Sequence, residues 1–145
     1  MEASLRRWAT LVAFGLLAAL PQVVSVAEPC NLLTVQEIAQ VLGNPVSSMP
    51  IGTTGCIWNG SPQGVNITLR NASAWPRITA QGPGITKTDV SGIGDAASFS
   101  GMQNMWTLSV KQGNNVIVLT VTGAKTPDQQ RSSEESLARL AIKRL

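Results

Sequence analysis

Two stretches of this chain alternate apolar and polar residues with a period of two, and no other feature restricts its fold as tightly. Val65-Asn66-Ile67-Thr68-Leu69-Arg70 is the stricter. Trp106, Leu108 and Val110 alternate with Thr107, Ser109 and Lys111, and Val116 to Thr122 reads as the next strand. Successive side chains of a strand point to opposite faces, so these segments predict an antiparallel sheet with one buried and one solvated side. Gly113-Asn114-Asn115 predicts the hairpin turn between the last two. Cys56 and Trp58 predict a short strand that turns through Gly60, Ser61, Pro62 and Gly64, and Ala96 to Ser100 predicts another. The expected sheet has about five strands.

Helix signals flank it. Thr34 with Glu37 three residues on makes a capping box, and Val35, Ile38, Ala39 and Leu42 form an apolar stripe that Gly43 ends, so residues 34–42 read as a helix. Near the C-terminus Thr126 is a cap, Pro127 suits the first helical position and Gln129 the third. Leu137, Leu140, Ala141 and Leu145 mark the apolar side there. Glu134 and Glu135 read as a charged outer face, Asp128 as a first-turn acid, and Arg131–Glu135 and Glu135–Arg139 as exposed pairs. Residues 44–55, rich in Pro, Gly, Ser and Thr, read as a surface loop, residues 81–84 as another, and residues 73–80 as a short helix. The prediction is an α+β fold of two layers, with the N-terminal and C-terminal helices packed on one face of the sheet.

Before the first helix stands a different kind of segment. Arg6 and Arg7 precede an apolar run from Trp8 to Leu20, which Pro21 and Gln22 end, and Ser25-Val26-Ala27 places small residues where a signal peptidase cuts. Thirteen apolar residues are too few for a spanning helix, which needs about 20. Residues 1–27 are therefore expected to be a cleaved signal peptide and residues 28–145 a single exported domain. A membrane link would persist only through an uncleaved leader. With the leader go Arg6, Arg7 and Glu2, which leaves nine Lys/Arg against seven Asp/Glu in the domain. That near balance, with no basic run or aromatic ladder, does not point to nucleic acid.

Cys30 and Cys56 are the only cysteines. In an exported chain an even pair predicts a disulfide, and closing a loop of about 27 residues should remove roughly 3 to 4 kcal/mol of unfolded-state freedom. Two cysteines with no histidine do not make a tetrahedral metal site.

The chain contains neither histidine nor tyrosine, which removes the commonest neutral-pH general base and the Ser-His and Cys-His systems. Asp89 and Asp95 are the carboxylates closest together outside a helix, and a hydrolase would have to use them. Gly92-Ile93-Gly94-Asp95 lacks the third glycine of a dinucleotide fingerprint and precedes no helix, so Gly92, Gly94 and Asp95 read as a tight structural turn and no cofactor is expected. Trp58 and Trp106 occupy inward strand positions, whereas Trp75 beside Pro76 is the tryptophan most open to solvent. The outward strand positions Asn66, Thr68, Arg70, Thr107, Ser109 and Lys111, with Trp75, form the candidate surface for a ligand or partner. Asn59-Gly60-Ser61, Asn66-Ile67-Thr68 and Asn71-Ala72-Ser73 are acceptor patterns for N-glycosylation in a eukaryotic secretory pathway.

Cys30-x-Leu32-Leu33-Thr34-x-x-Glu37-Ile38, Leu42-Gly43, Gly55-Cys56-x-Trp58 and Gly92-Ile93-Gly94-Asp95-x-Ala97, in that order, resemble a family of small actinobacterial exported or lipoprotein-like domains of unknown function. The pattern is similar also to extracytoplasmic sensor domains of bacterial receptor kinases. The resemblance implies an α+β domain outside the membrane with the two cysteines paired, and a bacterial source in which the sequons are silent. It carries no catalytic residues, and the lipidation cysteine of many such relatives is missing here. The expected function is a non-catalytic secreted or cell-envelope binding domain, with a hydrolase or a purely structural envelope protein as alternatives.

Overall fold

A computed structural model describes residues 27–145 of the chain; the expected signal peptide, residues 1–27, lies outside the described residues, Ala27 apart. A seven-stranded antiparallel sheet runs in the order β1-β2-β3-β7-β6-β5-β4. The strands are β1 Val46–Ile51, β2 Gly55–Gly60, β3 Gly64–Asn71, β4 Thr86–Val90, β5 Ala96–Met102, β6 Met105–Gln112 and β7 Asn115–Thr122. Helix α1 spans Val35–Leu42, the single turn α2 Trp75–Ile78, and the long helix α3 Pro127–Ala141.

The α+β class and the antiparallel sheet agree with the sequence, but the sheet has two strands more than predicted. Residues 44–55 are not a loop, because they contain β1, and β4 follows the loop at 81–84. Both are the outermost strands of the sheet. Val46 to Ile51 is exposed at all but its first position and carries Pro50, and Thr86 to Val90 has no fully buried residue. Neither strand has to bury an apolar face, so neither shows the alternation that betrays a strand in sequence.

The inward positions of the central strands make the core. Trp58, Val65, Ile67, Leu108, Val110, Ile117, Leu119 and Val121 are at most 2% exposed, and Ile38, Leu42, Leu137, Ala138 and Ala141 of the helices close over them. Trp106, also inward, is half-buried. Thr34 and Glu37 form the complete capping box, and Gly43 ends α1 at φ 77°, as the sequence predicts. Cys30 and Cys56 are joined, with their Cα atoms 5.1 Å apart. The bond ties the segment before α1 to β2, whose Trp58 lies at the bottom of the core. No helix among the described residues is long and apolar enough to cross a membrane.

The outward face is less open than predicted. β3 ends beside the β6–β7 turn, at Asn71 opposite Asn115, whereas β4 begins at the other end of the sheet, at Thr86 opposite Gly101. Residues 72–85 must therefore travel the length of the sheet, and the helices already occupy the inner face. Ile85 accordingly lies beside the outward residues Ser100, Met105 and Thr107. Ser98, Ser109 and Val116, all at outward register positions, are buried at 1%, 2% and 0% exposure.

Candidate functional site

Helix α3 packs chiefly over β6 and β7, and the edge strand β4 lies outside its main contacts. A cleft of about 620 Å³ opens there. Thr88, Val90 and Phe99 form its strand side, with Asp89 and Ser91 at the rim. Asp128, Arg131, Ser132, Glu135, Ser136 and Arg139 of α3 form the opposite wall. From Asp128 to Arg139 that wall runs three helical turns, about 16 Å. Residues three and four apart share a helix face, so this spacing puts every polar group of the stripe toward the cleft while Leu137, Ala138 and Ala141 point into the core.

The wall is internally organised. Arg131 pairs with Asp128 and lays its guanidinium over the Trp106 ring, 4.9 Å from the centroid, rather than pairing with Glu135 as the sequence spacing predicts. Glu135 does meet Arg139, at 4.0 Å. Trp106 is held from below by Gly101, where a Cβ would fall 2.6 Å from the indole, and from the side by Phe99, edge-on at 6.3 Å between centroids. Only a glycine at 101 lets the indole lie flat across β5.

Glu134 is the clearest departure from the sequence reading. It is not on the charged outer face of α3 but fully buried, at 0% exposure. The β6–β7 ladder runs from Gln112↔Asn115 to Leu108↔Leu119 and stops there, which leaves Trp106 and Val121 facing each other without a pair. Side chains of α3 take the place of the missing backbone bonds. Gln130 Nε2 donates to Trp106 O at 2.9 Å and Val121 O at 2.8 Å, Gln130 Oε1 accepts from Trp106 N–H at 3.4 Å, and Glu134 Oε1 accepts from Val121 N–H at 2.9 Å. All four backbone groups are thereby satisfied, as burial demands. Gln130 Nε2 also lies 3.1 Å from Glu134 Oε1, while Glu134 Oε2 has no partner. Burial disfavours the charged form and lifts the Glu134 pKa to about 8, against the opposing pull of the Val121 N–H and the Gln130 amide. The carboxyl is thus neutral at pH 7 and acts as a strut between strand and helix.

The Gly92–Asp95 turn borders the cleft. Its carbonyl at Gly92 accepts from Arg139 Nη1 at 2.7 Å, and Ile93, 1% exposed, plugs the turn into the core. Asp95 Oδ2 accepts from Gly113 N–H at 2.7 Å and Asp95 N–H donates to Lys111 O at 2.8 Å, so Asp95 braces the β6–β7 turn. Gly94, at φ 60°, passes so close that a Cβ would stand 2.6 Å from Lys111 O. Of the carboxylates considered for hydrolysis, Asp89 is in the cleft and Asp95 is not.

The six predicted strand residues share the outward face of β3 and β6, on either side of β7, and differ in exposure. Asn66, Thr68, Lys111 and Trp75 are half-buried and Arg70 is exposed. Thr107 Oγ1 bonds Thr120 Oγ1 at 2.9 Å, and Ser109 is closed off. Arg70 and Lys111 stand on either side of the buried Val116. Of the residues that line the cleft, sequence reasoning offered only Asp89 as a candidate, although the stripe Asp128, Arg131, Ser132, Glu135, Ser136, Arg139 repeats at the same helical spacing as the apolar side. No group of three or more potential metal ligands occurs among the described residues. Comparison of the chain with protein-family models, with curated proteins and with solved structures finds no match.

Proposed function

We propose that the chain works outside the cytoplasm as a cell-envelope binding domain that takes a polar ligand in the cleft between α3 and β4. The cleft carries this reading, because its walls present carboxylates, guanidinium groups and serine hydroxyls over the Phe99 ring and about 620 Å³ of space. Alternating charge along α3 suits a ligand rich in hydroxyl and amide groups better than a strongly charged one. The Cys30–Cys56 bond supports an oxidising compartment, and the apolar leader and the resemblance to exported actinobacterial domains belong to the same reading.

The test is a titration of ¹⁵N-labelled protein with soluble envelope oligosaccharides and short peptides. Shift changes should gather on Thr88–Ser91 and on α3 from Asp128 to Arg139. Arg139→Ala should weaken them at least about tenfold, the loss of one charge-assisted contact, and Arg70→Ala should leave them unchanged. Shifts confined to Arg70, Lys111 and Trp75 would overturn the reading.

Three carboxylates border the cleft, Asp128 and Glu135 on the helix wall and Asp89 at the strand rim, and they favour one second reading, acid–base hydrolysis of a bound glycan. Asp89→Asn that keeps binding but abolishes turnover would establish it.

A further inference from the structure

The two edges of the sheet are unlike. β1 carries Pro50, which has no N–H to offer a further strand. At the opposite edge, β4 runs Thr86-Lys87-Thr88-Asp89-Val90, with Thr86, Thr88 and Asp89 exposed and, among the described residues, only β5 beside it. Its backbone groups on the free side are a template for one more strand.

The sequence of β4 specifies which strand. Register with β5 puts Thr86, Thr88 and Val90 on the inner face, opposite Gly101, Phe99 and Ala97, and Lys87 and Asp89 on the outer face, opposite Ser100 and Ser98. Two copies of β4 related by a two-fold axis normal to the sheet pair antiparallel, and paired residues must share a face. Only registers centred on a β4 residue satisfy that condition. Centring on Lys87 sets lysine against lysine, and centring on Asp89 sets aspartate against aspartate. Centring on Thr88 sets Lys87 of each copy against Asp89 of the other, twice, with Thr88 against Thr88 and Thr86 against Val90. We infer that β4 is a self-complementary edge through which two copies of this chain join their sheets in the Thr88-centred register.

This pairing rests on the strand pattern and not on the cleft reading. Its consequence for the cleft is geometric, since both clefts adjoin β4 and the dimer brings them side by side over one continuous sheet. Five residues make a small interface, so the dimer is weak and salt-sensitive, and it forms where the protein is concentrated.

The experiment is sedimentation equilibrium of the purified, disulfide-intact protein up to about 1 mM, with folding of every variant checked by circular dichroism. The native chain should dimerise. Lys87→Asp and Asp89→Lys should each weaken dimerisation by about tenfold or more, because each sets like charges opposite one another at both symmetric pairs. The double variant Lys87→Asp/Asp89→Lys should restore it, because opposite charges again face each other. A protein that stays monomeric at the highest concentration would overturn the inference. So would a dimer indifferent to the single reversals, or a double variant as weak as either single.

Discussion

The two halves of the inner face are closed by different chemistry. Around α1 and the segment before it, Leu32, Leu33, Ile38 and Leu42 join the core, and the Cys30–Cys56 bond holds that segment to β2. Under α3, the β6–β7 ladder stops short of Trp106 and Val121, and buried Gln130 and Glu134 bridge the seam. The apolar half ends at β1, the edge strand that carries Pro50, whereas the polar half ends at β4 and the cleft beside it. Each half also holds a glutamate one helix turn from a polar partner, and the two have been driven in opposite directions. Glu37 accepts from Arg144 at 2.8 and 2.9 Å and from Thr34 N–H at 2.9 Å, which lowers its pKa to about 2. Glu134, out of water and without a cation, rises to about 8. A carboxylate's role is therefore set by what the fold brings to it and not by the charge pattern around it.

The largest expected effect breaks the apolar half. Trp58→Ala removes the largest fully buried side chain and should cost about 3 to 5 kcal/mol, read as a lower urea midpoint with an unchanged slope.

The next effect belongs to the polar half and depends on pH. Below about pH 4.5 Glu134 is protonated in folded and unfolded chains alike, and the stability it contributes is fully present. Between 4.5 and about 8 the folded chain keeps a proton that the unfolded chain releases, so stability falls as pH rises, by a few kcal/mol in all. Glu134→Gln should remove that decline in urea titrations repeated from pH 5 to 9.

The smallest effect concerns Glu37, which lies partly in solvent. Its folded pKa is depressed, so its contribution is present above about pH 4.5 and is lost as pH falls toward 2. Arg144→Met should flatten that acid limb slightly, and raised salt should do the same in the native chain.

How much of this was legible in the sequence follows the same division. The capping box at Thr34 and Glu37, the inward strand residues and the cysteine pair are local or periodic signals, and each was readable. β1 and β4 were not, because an edge strand need not bury a face. The exchange of partners by Arg131, from Glu135 to Asp128 and Trp106, depends on where β6 places an indole. Glu134 was hidden for the deepest reason. Its partners are backbone groups of strands that diverge, and divergence is a property of the assembled sheet. The cleft was half-legible, since the polar stripe of α3 has helical spacing but its opposite wall is an edge strand.

The comparison between the two halves is tested most directly by following every glutamate side-chain carboxyl with ¹³C NMR from pH 2 to 10. One carboxyl should titrate near 8, absent in Glu134→Gln, and one near 2 that shifts upward in Arg144→Met. Finding all of them between about 4 and 5, the ordinary range for glutamate, would contradict that contrast.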